Sequence, residues 1–365
     1  MKILITYARA GNGHRRAAEA IQHYLRENHK HLDVSTIDIL DYTNFLFKNA
    51  YSRGYSFVVG RLPFLWKFIY RLTSGGNLNR LNRVLGYWVN RLNTRKFQQF
   101  LLDNNFDVIL ATHFLPCETA GALKKNQRIN SRLICVVTDF NVHPFWITVG
   151  VDEYVAAGEF ARSQLEDFGI NKDKIRLAGI PVDLKFSRQA DKRQARDKLG
   201  LKQGEFTVLV ATAAFGLRPI EKIVDLLRAE VQMLVICGNN NRLLKRLAGN
   251  SYPLVKPFGF VENIEELMAA SDVIITKPGG LTCSESLAMG LPMIFIAAIY
   301  GQETKNAKIL EDYGVGVSAD DLTVLRQMVI NYKNNPQMLN AVRERISRFA
   351  KPFAAKEICE CFLPR

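Results

Sequence analysis

The feature that most restricts the fold of this chain is a unit that recurs along it. A short run of aliphatic and β-branched residues ends in a polar or glycine-bearing loop, and an amphipathic helical pattern follows. Lys2–Tyr7 reads as a short buried strand, residues 8–14 as a loop and residues 15–27 as a helix with Ala17, Ala18, Ile21, Tyr24 and Leu25 facing inward. Further strands are expected at 34–40, 108–112, 133–138, 153–157 and 174–178, with helices such as 160–168 between some of them. The pattern pauses around 179–186, and a highly charged stretch runs to Lys202. A second set then places strands at 207–211, 233–237, 254–260, 273–276, 292–296 and 315–317. Helices at 220–228, 264–269, 284–289 and 306–313 fill several of the gaps. Strand–helix alternation of this kind builds parallel βαβ units, so the class is α/β. A length of 365 residues, at roughly 150 per domain, suits two such halves. Open parallel sheets bind ligands beyond the carboxyl ends of their strands, which points to a cleft between the halves.

Composition narrows the environment. With 48% apolar and 23% charged residues, the chain is an ordinary globular mixture, not a disordered one. Its apolar runs are far shorter than the roughly 20 residues of a spanning helix, and the N-terminal strand is too short for a signal segment, so the chain is read as cytoplasmic and mature from residue 1. Cys117, Cys135 and Cys237 lie in apolar segments and no pair has CxxC spacing; Cys359 and Cys361 are the only close pair. Neither structural zinc nor a disulfide scaffold is expected.

The net charge of +14 is concentrated in one place. Between Tyr42 and Leu102 there is no Asp or Glu, while Lys48, Arg53, Arg61, Lys67, Arg71, Arg80, Arg83, Arg91, Arg95 and Lys96 are all basic. The same segment carries Phe45, Phe47, Phe57, Phe64, Trp66, Phe68, Tyr70 and Trp88. Leu78, Leu81, Leu85, Trp88 and Leu92 recur at helical spacing, with the arginines mostly off that stripe. Basic heads on an apolar body suit a helix lying on an anionic membrane surface. The stripe packing on the core, with its arginines in water, is the plainer alternative. Nucleic acid is set aside, because no RNP, KH or helix-turn-helix pattern accompanies the charge.

Four loops hold the chemistry-bearing residues. Gly11-Asn12-Gly13-His14 follows the first strand; Arg16 stands where a dinucleotide fingerprint needs its third glycine, so that reading fails. His14, titrating near neutrality at a strand's carboxyl end, is either a general base or a helix-capping, exposed imidazole. The run Thr276-Lys277-Pro278-Gly279-Gly280-Leu281-Thr282-Cys283-Ser284-Glu285 joins a strand to a helix. Thr282 and Glu285 have capping-box spacing; alternatively, exposed amides bind phosphate and Glu285 accepts from a ribose diol. Gln302, Glu303 and Asn306 gather amide and carboxylate groups that match sugar hydroxyls or cap a helix. Asp139 follows another strand, in the run Thr138-Asp139-Phe140-Asn141-Val142-His143-Pro144-Phe145-Trp146, where it can orient a His or act as a base.

Taken in this order, VVTDF…HPFW, DEYVAAGE, RLAGIPVD, TKPGGLTCSESLAMGLP and GQETKNA resemble the diacylglycerol glycosyltransferases, a family that includes monogalactosyldiacylglycerol synthase and the processive diacylglycerol β-glucosyltransferases. The likeness runs from Ile3 to about Gly316. It implies a GT-B fold: an acceptor- and membrane-binding domain at 1–180, a linker at 181–205, a nucleotide-sugar domain at 206–345 and a C-terminal helix at 346–365 that packs back on the first domain. It also implies an inverting transfer of a hexose from UDP-glucose or UDP-galactose to diacylglycerol or a related lipid. The UDP-sugar is a substrate, and neither cofactor nor bound metal is called for. By the same resemblance His14 is the base and Asp139 assists or positions it. Gly279, Gly280 and Thr282 face the diphosphate, Glu285 the ribose, Gln302, Glu303 and Asn306 the donor sugar, and Phe260 and Val261 the uracil. Gly13, Pro144 and Trp146 fall to the acceptor and anionic lipid, joined by Phe64, Trp66, Lys67 and Arg71 of the basic segment. The protein is then expected on the inner face of the cell membrane. Two departures stand out. The loop Ala211-Thr212-Ala213-Ala214-Phe215-Gly216 keeps one glycine, Gly216, where relatives are glycine-rich, and Ile299-Tyr300-Gly301 replaces the usual proline-and-glycine approach to Gln302. They leave open a UDP-N-acetylglucosamine-dependent transferase acting on another lipid or lipopolysaccharide precursor, or a UDP-sugar-binding membrane regulator.

Overall fold

In a computed structural model, the described residues are 1–9, 11–54, 58, 61–74, 86, 88–188, 191–212, 219–250 and 252–363. Leu78, Arg80, Leu81, Arg83, Leu85, Phe57 and Gly216, singled out above, lie outside them, as does the side chain of Arg53. The chain divides into two units. One comprises Met1–Leu184, Tyr300–Lys305 and Phe353–Arg365; the other comprises Lys185–Ile299 and Asn306–Pro352.

The first unit is built on β1 (Lys2–Tyr7), β2 (Asp33–Asp38), β3 (Val108–Ala111), β4 (Arg132–Val136), β5 (Glu153–Val155) and β6 (Ile175–Arg176). They form one parallel sheet in the order β2-β1-β3-β4-β5-β6, with Ile3 beside Val34 on one side and Val108 on the other. β1, β3 and β4 are almost wholly buried, as a sheet covered on both faces requires. Its helices are α1 (Gly13–Asn28), α2 (Phe45–Asn49), α3 (Pro63–Ser74), α4 (Arg95–Asn104), α5 (Phe114–Lys125) and α6 (Glu159–Asp167). On α1 the expected inward set of Ala17, Ala18, Ile21, Tyr24 and Leu25 is buried. The final helix, Ala354–Glu360, places Ala355, Ile358 and Cys359 in the same core cluster as Ile21, Tyr24 and Leu25.

The second unit repeats the plan with β7 (Thr207–Ala211), β8 (Gln232–Ile236), β9 (Val255–Phe258), β10 (Val273–Thr276), β11 (Met293–Phe295) and β12 (Gly316–Ser318). All pair in parallel, in the order β12-β11-β10-β7-β8-β9. The stretch 181–205 is more than a linker. It contains α7 (Lys192–Lys198), whose buried Arg196 gives Nε to Ala270 O at 3.0 Å and a terminal nitrogen to Asp272 Oδ2 at 2.8 Å. Asp272 also accepts the Thr207 amide at 2.7 Å, so α7 is tied to the starts of β7 and β10. A buried charge survives only when paired and hydrogen-bonded in this way.

Both sheets reverse their strand order once, between β1 and β3 and between β7 and β10. Loops leaving the carboxyl ends of strands on either side of such a reversal diverge and open a crevice. His14 and Thr112 lie beyond the first pair, and Lys277 to Gly280 beyond the second.

Candidate active site

The site in the first unit begins with Gly11, whose φ of +94° suits glycine and turns the chain out of β1 into α1. His14 is the second residue of that helix, and its ring bonds across to the neighbouring strand end instead of capping its own helix. Nδ1 lies 2.9 Å from the Thr112 carbonyl and 2.8 Å from Thr138 Oγ1. Thr112 Oγ1 in turn donates to the His14 carbonyl at 2.8 Å, so main chain and ring are both held. A carbonyl can only accept. Nδ1 therefore carries the hydrogen, and Nε2 keeps its lone pair. Burial pushes the imidazole down to about 4, with the Thr112 bond opposing that fall. His14 is thus neutral and basic at Nε2 throughout the neutral range.

Around it stands an aromatic pocket of about 320 Å³, lined by His14, Tyr51, Trp66, Tyr70, His113, Phe114, His143, Phe145, Trp146 and Gln302. The His14 and His113 rings meet edge to face at 4.6 Å. His113 and His143 each accept a backbone amide at Nδ1, from Leu115 and Phe145 respectively; His113 caps α5 and His143 caps the short turn Pro144–Trp146. Burial lowers His113 well below its ordinary value; burial, and then the charge of Lys305, lowers His143 to about 4. Three imidazoles are therefore kept uncharged in a wall whose other side chains are mostly aromatic and carry no formal charge. Trp146, which its sequence left as equally a core residue and which the resemblance assigned to anionic lipid, is only 2% exposed and lies 6.2 Å from the His14 ring, as part of this wall. Pro144 opens the short turn that carries it.

Asp139 is buried beside the same site, and its carboxylate accepts Gln302 Nε2. Thr112 and Thr138, not Asp139, are the partners seen on Nδ1 of His14. Thr112, His113, Tyr51, Tyr70 and His143 belong to the site although the sequence assigned none of them an individual role in it. The one available signal was Thr112-His113 at the end of a buried strand, a placement like that of Asp139.

In the basic segment, Trp66 Nε1 donates to Tyr300 O at 2.9 Å and Arg71 Nε to Tyr300 Oη at 3.0 Å, while Lys67 Nζ stands 4.9 Å from the Tyr300 ring centroid. These three side chains, expected at the lipid, are turned onto the protein's own Tyr300. Phe64 keeps the expected exposure, at 88%.

In the second unit, β10 ends at Thr276, whose hydroxyl donates to Ala211 O at 2.7 Å and ties it to β7. Gly279 then caps α11 (Gly280–Ala288), which follows α8 (Pro219–Leu227), α9 (Asn241–Gly249) and α10 (Ile264–Ala270). The helix starts two residues before Thr282, so the Thr282–Glu285 capping box does not form. No side chain caps this end and no acidic residue occupies its first turn. Its amides and its dipole are available to an anion. Asn306, fully buried on α12 (Gln302–Asp312), gives Nδ2 to Pro278 O at 3.2 Å and pins the loop instead of capping its own helix. Glu285 is 3% exposed on the inner side of α11, whereas Phe260 is largely exposed and Val261 half-buried. Glu303 is half-buried in the first turn of α12. Among the described residues no group of three or more His, Cys, Asp or Glu could hold a metal ion.

Comparison with known proteins finds relatives over nearly the whole chain. Residues 14–182 match the sequence model of monogalactosyldiacylglycerol (MGDG) synthase, and residues 204–357 that of the glycosyltransferase family 28 C-terminal domain. The processive diacylglycerol beta-glucosyltransferase of Bacillus pumilus (strain SAFR-032) is 27% identical over 372 residues, 98% of this chain and 94% of that one. The enzyme of the same name from Bacillus thuringiensis (strain Al Hakam) is 28% identical over 377 residues, 99% and 93% of the two chains. Among solved structures, Acinetobacter baumannii MurG superposes with a TM-score of 0.63 at 14% identity, covering 99% of both chains. Anabaena HepE in complex with UDP and glucose gives 0.56 at 16% identity, also over 99% of both. The UDP-GlcNAc 2-epimerase of Neisseria meningitidis gives 0.62 at 14% identity over 99% of both, so at this distance structural likeness speaks for the fold alone. With two parallel Rossmann-like sheets in the GT-B plan, the chain is similar to monogalactosyldiacylglycerol synthase over residues 14–182 and to the glycosyltransferase family 28 C-terminal domain over residues 204–357, in that order.

Proposed function

We propose that the protein transfers a hexose, glucose or galactose, from a UDP-sugar to diacylglycerol or a related membrane lipid, with inversion at the sugar carbon. The observation that carries this reading is His14, fixed by Thr112 as the tautomer that is basic at Nε2, in the wall of an uncharged aromatic pocket. Such a pocket favours an apolar acceptor presenting a neutral hydroxyl over an ionised one. Nε2 takes the hydroxyl proton as the acceptor oxygen attacks the anomeric carbon and the bond to the diphosphate breaks. The Thr112 carbonyl, already bonded to Nδ1–H, stabilises the imidazolium that forms. Negative charge collecting on the departing diphosphate meets the uncapped amides of α11, which need no reorganisation to receive it. Glu285 binds the ribose, Gln302 and Glu303 the sugar, and no cofactor is required.

The acid-free segment 42–102 attaches the protein to lipid. Phe45, Leu46, Phe64 and Phe68 are 77%, 79%, 88% and 61% exposed, far beyond what scattered surface apolar residues show. Each Lys or Arg close to an anionic surface adds about 1 kcal/mol. Among the described residues no helix is long and apolar enough to cross a membrane. In this reading the protein works peripherally, on the inner face of the cell membrane.

His14→Ala tests the reaction. It should abolish sugar transfer while UDP binding, followed by calorimetry, stays within about twofold, since His14 makes no nucleotide contact in this reading. Undiminished transfer by that variant would remove His14 as the base.

A further inference from the structure

Tyr300 stands where the relatives' pattern of proline and glycine leads into the Gln302 loop, and α3 grips it. Trp66 Nε1 bonds its carbonyl, Arg71 Nε its hydroxyl, and Lys67 lies over its ring. Tyr70 fills the next position. A Cβ on Gly301 would approach the Tyr70 ring to 2.6 Å, so only glycine, at φ +103°, fits beside it. Lys305 Nζ reaches back over that same ring at 5.6 Å. Between these fixed points Gln302 gives its amide to Asp139.

The helix doing this has two sides. Residues four apart share a face, so Trp66 and Tyr70 lie on one side and Phe64 and Phe68 about half a turn away, with Lys67 and Arg71 on the flank between. The outer pair is bare, and the segment around it has no acidic residue. An anionic bilayer matches both its apolar face and its charge.

Resting on the reaction and membrane site read above, we propose that Tyr300 is a positioning residue for Gln302, and that α3 couples it to lipid: engagement of the outer face by a bilayer steadies the inner grip on Tyr300 and so the sugar-binding loop. Tyr300 touches no reacting atom and acts through Gln302.

Hydrogen exchange of peptides covering 300–305 tests this without relying on turnover. Vesicles of phosphatidylglycerol and phosphatidylcholine should slow exchange there in the wild type. Tyr300→Ala should speed it and make it indifferent to vesicles, whereas Tyr300→Phe, which keeps the ring, should restore most of the protection. Phe64→Asp with Phe68→Asp should leave exchange without vesicles unchanged and remove the vesicle effect. In steady-state assays Tyr300→Ala should raise KM for the UDP-sugar about tenfold, the scale of lost hydrogen bonds, with a smaller change in kcat. Exchange at 300–305 that ignores either Tyr300→Ala or bound vesicles would overturn the proposal. A wild-type protein that shows the exchange changes yet forms no glycolipid would sink the reading of the reaction and keep the coupling.

Discussion

At the scale of single residues, the behaviour of His14 follows from who shares its Nδ1. A free histidine near 6.5 would be half protonated in mildly acidic cells; His14, held near 4 by burial, is not. If it is the base, kcat/KM should stay flat from neutrality down to about pH 5 and fall only below that. An acid limb centred near 6.5 would contradict the assignment. The same depression makes a stability statement. The unfolded chain binds the proton more readily than the folded one, so this contribution is complete above pH 6.5 and is lost as pH drops toward about 4, with His143 adding to it. Thermal melts should therefore show stability declining across that window, less steeply in His14→Gln. A His after a glycine loop was legible as a candidate base. Its tautomer was not, because the deciding partner is a main-chain carbonyl, which leaves no trace in residue identity. Thr112 became visible only once β1 and β3 were neighbours.

At the scale of elements, buried strands were the most legible part. β7 and β10 are continuous apolar runs, and nothing but a covered parallel sheet uses them well. Helix starts were less legible. α11 begins at Gly280, four residues before the pattern predicts, because glycine and threonine signal turns and caps more strongly than helix. α12 likewise begins at Gln302 instead of 306. The early start of α11 matters, since the presumed capping pair does not cap it and its first amides are left for the diphosphate of the proposed reaction. Gly279→Asp separates the two roles. The position has room for a side chain and a φ of −76° that any residue adopts. Asp there should cap the helix and raise stability by roughly a few tenths of a kcal/mol, while its charge weakens UDP binding at least tenfold. A variant that gains stability and binds UDP as well as wild type would show that the diphosphate lies elsewhere.

At the scale of the whole molecule, the two-unit α/β plan was legible from the alternation of strands and helices. The tracing of the chain between units was not. Tyr300–Lys305 belongs with the first unit although the second unit flanks it on both sides in sequence; Phe353–Arg365 also belongs with the first unit, a return that the resemblance implied but no local pattern announced. No local pattern in Tyr300-Gly301-Gln302 announces that its partners are Trp66, Arg71 and Asp139. The charge imbalance was plain, but its use was not: Lys67 and Arg71 lie against Tyr300, while Phe45, Leu46, Phe64 and Phe68 are exposed and are, in the proposed reading, the residues that meet lipid. Sedimentation with anionic vesicles should weaken as salt rises, and should fall severalfold in Phe64→Asp with Phe68→Asp, without loss of UDP binding. Attachment that ignores both changes would move the lipid contact off this segment.

Hexose transfer from a UDP-sugar to a lipid hydroxyl is tested most directly by mass spectrometry of the products. Purified protein would be given diacylglycerol in anionic mixed micelles with UDP-glucose, UDP-galactose or UDP-N-acetylglucosamine in separate reactions. The expected product is a hexosyl-diacylglycerol from UDP-glucose or UDP-galactose, dependent on His14, with further hexose additions if transfer is processive. Product only from UDP-N-acetylglucosamine would contradict the sugar, and no glycolipid from any donor, with UDP still bound, would contradict the reaction itself.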